Sequence, residues 1–227
     1  MNEALAAALE KKSVPALKKA LEAKPDLSAL DSSGQSALHL AVKGKKLDLA
    51  EALLAAGADL NVKDEDNNTP LYALLKSKSG ALNATEEANA KWLVEKGADL
   101  NVPGDYGFTA LHFAARSSGA PLVKWLIEKG AKVLRDKGDA TPLHESIDTH
   151  AKDTAMWELF LANGCSVRDV NDSKETLLHR SVISHNAIAT KWFLAKGVDA
   201  AAKDKDGLTA LDYAKKYKSE KNIKILS

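Results

Sequence analysis

The stretch TALHFAARSSGAPLVKWLIEKGA, residues 109 to 131, contains one complete structural unit. Thr109 is suited to cap a helix, and Leu111, His112 and Ala114 follow at the i, i+1 and i+3 positions of a short first helix. A second helix then runs to Gly130, which just past its end can take the left-handed conformation that terminates it. The same pattern recurs along the chain. SALHLAV (36 to 42), TPLYALL (69 to 75), TPLHESI (141 to 147), TLLHRSV (176 to 182) and TALDYAK (209 to 215) align with TALHFAA (109 to 115) on Leu38, Leu71, Leu111, Leu143, Leu178 and Leu211. Where proline follows the threonine, it suits the first helical turn. The leucines are spaced 33, 40, 32, 35 and 33 residues apart, so the period is about 33 with one large and one small insertion.

A second marker follows in phase: LLAAGADLN (53 to 61), LVEKGADLN (93 to 101), LIEKGAKVL (126 to 134), FLANGCSVR (160 to 168) and FLAKGVDAA (193 to 201). The polar residues after each glycine, with the next Asp and Gly, read as a tight turn or hairpin into the next unit. One such unit cannot bury its own apolar face, whereas stacked neighbours share a continuous core.

Two motifs in phase over roughly residues 31 to 215 resemble the ankyrin repeat, with its T-P-L-H-x-A start and G-A-D-x-N ending. The resemblance implies an all-α repeat fold: an ankyrin solenoid of stacked helix-turn-helix units joined by β-hairpin loops, with divergent capping repeats at both ends. The expected organisation is a single domain over residues 1–227. It comprises an N-terminal cap (2–30), repeats at 31–63, 64–103, 104–135, 136–170 and 171–203, and a C-terminal cap (204–227). The start at Met1 and stop at Ser227 read as a solenoid that makes up the whole chain. Two departures stand out. The turn glycine (Gly34, Gly107, Gly207) is replaced by Asn67, Asp139 and Lys174, and because lysine adopts positive φ less readily, the fifth hairpin is expected to be irregular. Residues 76 to 89, KSKSGALNATEEAN, are expected to lengthen the helix-to-helix turn of the second unit.

Composition narrows the function classes. With 32 basic and 31 acidic residues the net charge is +1, so no global field draws the chain to nucleic acid or a membrane surface. Arginine occurs only at 116, 135, 168 and 180, which removes most of the forked donors that phosphates and base edges favour. No window approaches the 18 apolar residues of a membrane span, and the N-terminus has no signal-peptide pattern. Cys165 is the only cysteine, which excludes an internal disulfide and points to a reducing, cytoplasmic setting.

The candidate chemistry is thin. His39, His112, His144 and His179 occupy equivalent positions in different repeats, about 10 Å apart if stacked, whereas a zinc site needs ligands about 2 Å from one ion. They read as structural, each bonding backbone near its own hairpin, and His150 and His185 read as solvated turn residues. Cys165 reads as a small buried hydrophobe. The sequence has no nucleotide loop or nucleophile elbow. No metal, cofactor or catalytic residue is expected, and the chain reads as a monomer that is not an enzyme. Its expected partner is another protein.

The resemblance implies a concave binding surface of hairpin tips and first-helix faces. Carried over by position, it comprises Glu65, Asp66, Asp105, Tyr106 and Phe108 on the hairpins and Lys76, Arg116, Asp148 and Ile183 on the helices. Tyr106, Phe108 and Arg116 are the residue types that most often anchor interfaces. Trp92, Trp125 and Trp192, each five residues before a repeat glycine and each preceded by lysine, form an alternative outer column. There the ring beside the lysine stem suits inter-repeat packing. Asn61 and Asn101 resemble the ankyrin asparagines modified by an asparaginyl hydroxylase, and the structural alternative is that each closes its turn.

Overall fold

A computed structural model describes residues 1–44, 47–76, 82–117, 119–148 and 154–227, and the side chains of Asp105, Ser117 and Asp148 lie outside the description. The described residues form two compact units, Met1–Asp105 and Tyr106–Ser227. In the first unit, α1 (Glu3–Glu10) packs on α2 (Val14–Leu21), α3 (Ala37–Val42) on α4 (Asp48–Ala55), and α5 (Pro70–Leu75) on α6 (Ala84–Glu95). In the second, the pairs are α7 (Ala110–Ser117) with α8 (Ala120–Glu128), α9 (Pro142–Asp148) with α10 (Thr154–Ala162), α11 (Leu177–Ile183) with α12 (Ala187–Ala195), and α13 (Ala210–Lys216) with α14 (Glu220–Leu226). Within each unit the first helices of successive pairs touch: α1, α3 and α5 in one, α7, α9, α11 and α13 in the other. This is the all-α repeat fold that the 33-residue period predicts. Among the described residues there is no β-strand, and the hairpins pair only through single antiparallel bridges, Leu30 with Ser36 and Val170 with Thr176.

Each motif position has a local physical role. The hydroxyls of Ser36, Thr69, Thr176 and Thr209 accept a hydrogen bond from the amide three residues on, capping the first helices at about 1 kcal/mol each. At the other marker, the amide after each glycine returns to the carbonyl five residues back: Ala58 to Leu53, Ala98 to Leu93, Ala131 to Leu126, Cys165 to Phe160 and Val198 to Phe193, at 2.9–3.1 Å. That closure ends the second helix and turns Leu53, Leu93, Leu126, Phe160 and Phe193, all at most 1% exposed, into the core.

The hairpins are built around one acceptor. Asp31, Asp64, Asp136, Asn171 and Asp204 each stand five residues before the capping Ser or Thr, and the side-chain Oδ1 of each takes the amide four residues on, at 2.8–3.0 Å. Successive hairpins are joined by single backbone bonds of 2.7–2.9 Å: Glu65 to Gly34, Lys137 to Tyr106, Asp172 to Gly138 and Lys205 to Ser173. The fifth hairpin is therefore regular, contrary to expectation. Lys174 takes φ 59, and Asn171 supplies both the turn bond and its side-chain acceptor, so the surrounding bonds outweigh the cost of a left-handed lysine.

The irregular hairpin is the third. Gly104 occupies the acceptor position there and offers no oxygen, and the chain instead makes a short 3₁₀ turn over Asp105–Gly107 with Tyr106 at φ 59. The reason lies one repeat earlier. Tyr72 stands where four other repeats have histidine, and its ring is 2% exposed. A Cβ on residue 104 would sit 2.5 Å from that ring, so the larger side chain excludes the usual aspartate.

The expected loop at 76 to 89 also differs. Residues 77–81 lie outside the described part, but from Ala84 onward the segment is the first turn and a half of α6, capped by Asn83 with a return bond from the Glu86 side chain at 2.9 Å. Asn89, 4% exposed, donates to the carbonyls of Val42 and Gly44 at 2.7 Å each, so this part of the insertion ties down the end of α3.

The Tyr72–Gly104 pairing makes a prediction. Gly104→Asp alone is expected to cost about 1–3 kcal/mol through overpacking, and adding Tyr72→His should recover most of it. Urea unfolding of the two single variants and the double variant measures the coupling, and strictly additive losses would refute the steric account.

Candidate functional site

The repeated histidines can be assigned first. Nδ1 of His39 lies 2.7 Å from the Ser36 hydroxyl, and Nδ1 of His112, His144 and His179 lies 2.8–3.1 Å from the hydroxyl of Thr109, Thr141 and Thr176. The backbone amides of those three threonines also donate to Nδ1, at 3.1–3.2 Å, which fixes that nitrogen as an acceptor and leaves the proton on Nε2. Nε2 then donates to the next hairpin: His39 to the carbonyl of Asn68 at 3.0 Å, His112 to Ala140 at 3.5 Å and His179 to Leu208 at 3.0 Å. Burial holds the imidazoles of His112 and His144 down to about 4, and it lowers His39 as well despite the Asn68 carbonyl and nearby Asp64. The 3.9 Å approach of His39 to Asp64 is therefore a neutral contact and not an ion pair.

His144 is the exception, since its Nε2 has no acceptor. At that junction Arg135 spans the gap instead, donating to the carbonyls of Asp139 (2.7 Å) and Val170 (3.2 Å) and to the Asp169 carboxylate (2.6 Å). In the last repeat Asp212 replaces the histidine. Its carboxylate accepts from the Thr209 amide and hydroxyl at 2.9 and 2.7 Å, which retains the capping half of the motif. Cys165 is buried, and desolvation pushes its thiol up to about 11, so it is a packing residue. His185 is exposed, as expected of a turn residue, and His150 lies outside the described residues.

The aromatic centre has a defined geometry within the second unit. Tyr106 is 72% exposed and left-handed, and its carbonyl is held by the Lys137 amide at 2.8 Å. Its ring therefore does not cover the neighbouring hairpin. Phe108 is half-buried and meets Phe113 and His112 edge-on, with centroids 5.6 and 5.3 Å away. Exposed Arg116 lines the same hollow, and Glu145, 6% exposed, joins its lining. Phe113 and Glu145 follow the motif histidine directly, a helix position left out of the sequence-level set. Of the other expected residues, Glu65, Asp66 and Lys76 are exposed in the first unit, and Ile183 is half-buried at the end of α11. The side chains of Asp105 and Asp148 lie outside the description.

The three tryptophans are half-buried, and a lysine does stand over each ring. It is the one four residues later: Lys96 over Trp92 and Lys129 over Trp125 at 5.6 Å, and Lys196 over Trp192 at 4.9 Å. Helical geometry places i and i+4 on one face, so the preceding lysine points elsewhere. Trp192 also packs on Trp157, a fully buried ring 5.2 Å away, and Lys196 bonds Glu158 at 2.6 Å. Among the asparagines, Asn61 accepts from the Asp99 amide at 2.9 Å, while the turns at 59–61 and 99–101 are closed by Asp59 and Asp99.

The sequence profiles of two groups of ankyrin repeats match the chain, one over residues 4–71 and 160–214 and the other over 64–137 and 79–157. The chain belongs to the ankyrin-repeat family. No curated protein sequence matches it. Among solved structures, the ankyrin repeat domain of Bcl-3, described as a unique member of the IkappaB protein family, is similar with a TM-score of 0.74. That match covers 99% of this chain and 98% of the other at 23% identity, a likeness of fold.

The neutral histidines of this ankyrin-repeat protein set its acid stability. The unfolded chain takes up these protons near 6.5 and the folded chain near 4, so stability is full above pH 6.5, falls as the pH drops towards 4 and levels off below. Between pH 7 and 4.5, His112 and His144 should each remove about 2.5 kcal/mol of unfolding free energy. Urea titrations at both pH values test this, and His144→Leu should shrink the difference by its own share.

Proposed function

We propose that the chain is a non-catalytic protein-interaction scaffold, an adaptor, inhibitor or assembly factor that works as a monomer in the cytoplasm. It takes another protein on its concave face, with Tyr106, Phe108 and Arg116 as anchors. Membership of a repeat family whose stacks present extended recognition surfaces supports the general reading. The single observation that carries the placement is Tyr106. Its ring is 72% exposed on a turn whose backbone is fixed, a large aromatic surface that the fold itself leaves uncovered. The Lys137 bond to the Tyr106 carbonyl fixes the backbone under the ring, which lowers the ordering cost on association. Phe113 and Glu145 extend the anchor within the second unit, and Ile183 at the end of α11 is a flanking contact in this reading.

Affinity capture from the source cell with identification by mass spectrometry supplies the partner. Tyr106→Ala with Arg116→Ala is then expected to weaken the purified complex by about 2–4 kcal/mol, leaving the melting temperature nearly unchanged. Binding that survives this pair but fails on Trp92→Ala with Trp125→Ala would move the interface to the second helices.

A further inference from the structure

The C-terminal cap contains a second surface. Residues 215 to 224, KKYKSEKNIK, contain five lysines and one glutamate, a local charge of +4 in a chain whose total is +1. All five lysines are exposed, and among the described residues none forms an ion pair with a carboxylate. In their midst is Tyr217, 40% exposed, with its ring centroid 5.9 Å from those of both Tyr213 and His185. Lys216 Nζ stands over both tyrosines, 5.6 Å from the Tyr213 centroid and 5.9 Å from that of Tyr217. The platform is fixed from below, because the Tyr213 hydroxyl donates to the Asp204 carboxylate at 2.7 Å and that carboxylate also closes the last hairpin. Ile188, in the first turn of α12 just past His185, is 45% exposed, more than any other large aliphatic side chain among the described residues.

We propose that this cap docks an acidic segment of a partner protein, with carboxylates on Lys216 and Lys218 and one aliphatic or aromatic side chain seated against Tyr217 and Ile188. Charge complementarity selects an acidic occupant, since unpaired ammonium groups beside apolar surface gain most from carboxylates brought close to them. The apolar element separates a peptide from a nucleic acid. Bases stack on successive open aromatic faces, and here the one exposed ring is already partly covered by Tyr213, His185 and Lys216. The absence of arginine from the patch points the same way, because lysine lacks the fork that reads phosphate in two bonds.

The test uses the full chain and a fluorescein-labelled peptide of Asp and Glu around a central Leu-Phe pair. A charge-reversed lysine peptide and an oligothymidylate of similar length serve as comparisons. Fluorescence anisotropy should show saturable binding of the acidic peptide alone, weakening as salt rises. Lys216→Glu with Lys218→Glu should raise Kd about tenfold or more, Ile188→Ser about threefold to fivefold, and Tyr106→Ala with Arg116→Ala should leave it unchanged. Thermal melts confirm that each variant is folded, and Lys221→Glu provides a second charge change if the double reversal is not. No saturable binding, an oligothymidylate that binds as tightly as the peptide, or indifference to Ile188→Ser would each overturn the proposal.

Discussion

A neutral imidazole bonded at both nitrogens is the interaction on which the stack depends. One nitrogen accepts from the serine or threonine that starts its own helix, and the other donates to a carbonyl of the next hairpin, 28 or 29 residues on. A single side chain thus performs a local task and a repeat-to-repeat task, and it does both only while uncharged. Its burial is consistent with that, since desolvation disfavours the proton that would convert the Nδ1 acceptor into a donor.

The exceptions show which half of that role each junction needs. Tyr72 displaces the turn acceptor of the next hairpin, leaving Gly104, and the 3₁₀ turn that follows holds Tyr106 in its exposed, left-handed position. His144 keeps only its capping bond, and Arg135 joins the hairpins at their outer edge. Asp212 keeps the capping half alone, its carboxylate accepting from the Thr209 amide and hydroxyl. The irregular hairpin and the proposed anchor are therefore consequences of one oversized side chain a repeat earlier.

Successive hairpins are joined through the backbone groups of their turns, so exposed side chains on those turns are not required by the bonds between repeats. Tyr106 and Tyr217 are both aromatic, both substantially exposed and both set on fixed backbone, and neither ring is a core residue. Rings held in place without being buried are the kind of feature that binding explains better than folding.

The sequence by itself determined the period, the helix pairs and their ends, because caps, C-terminal glycines and apolar spacing act within a few residues and are written in residue type. It also placed the histidines in structural roles and Tyr106, Phe108 and Arg116 on one repeat. The tertiary structure decided what depends on side chains meeting outside the motif: that Lys174 tolerates its turn while the hairpin after Tyr72 does not, that the lysine over each tryptophan is the later one, and that Phe113 and Glu145 share the hollow with Phe108. The deciding partners act through side-chain volume, direction and hydrogen bonding, none of which a linear motif records.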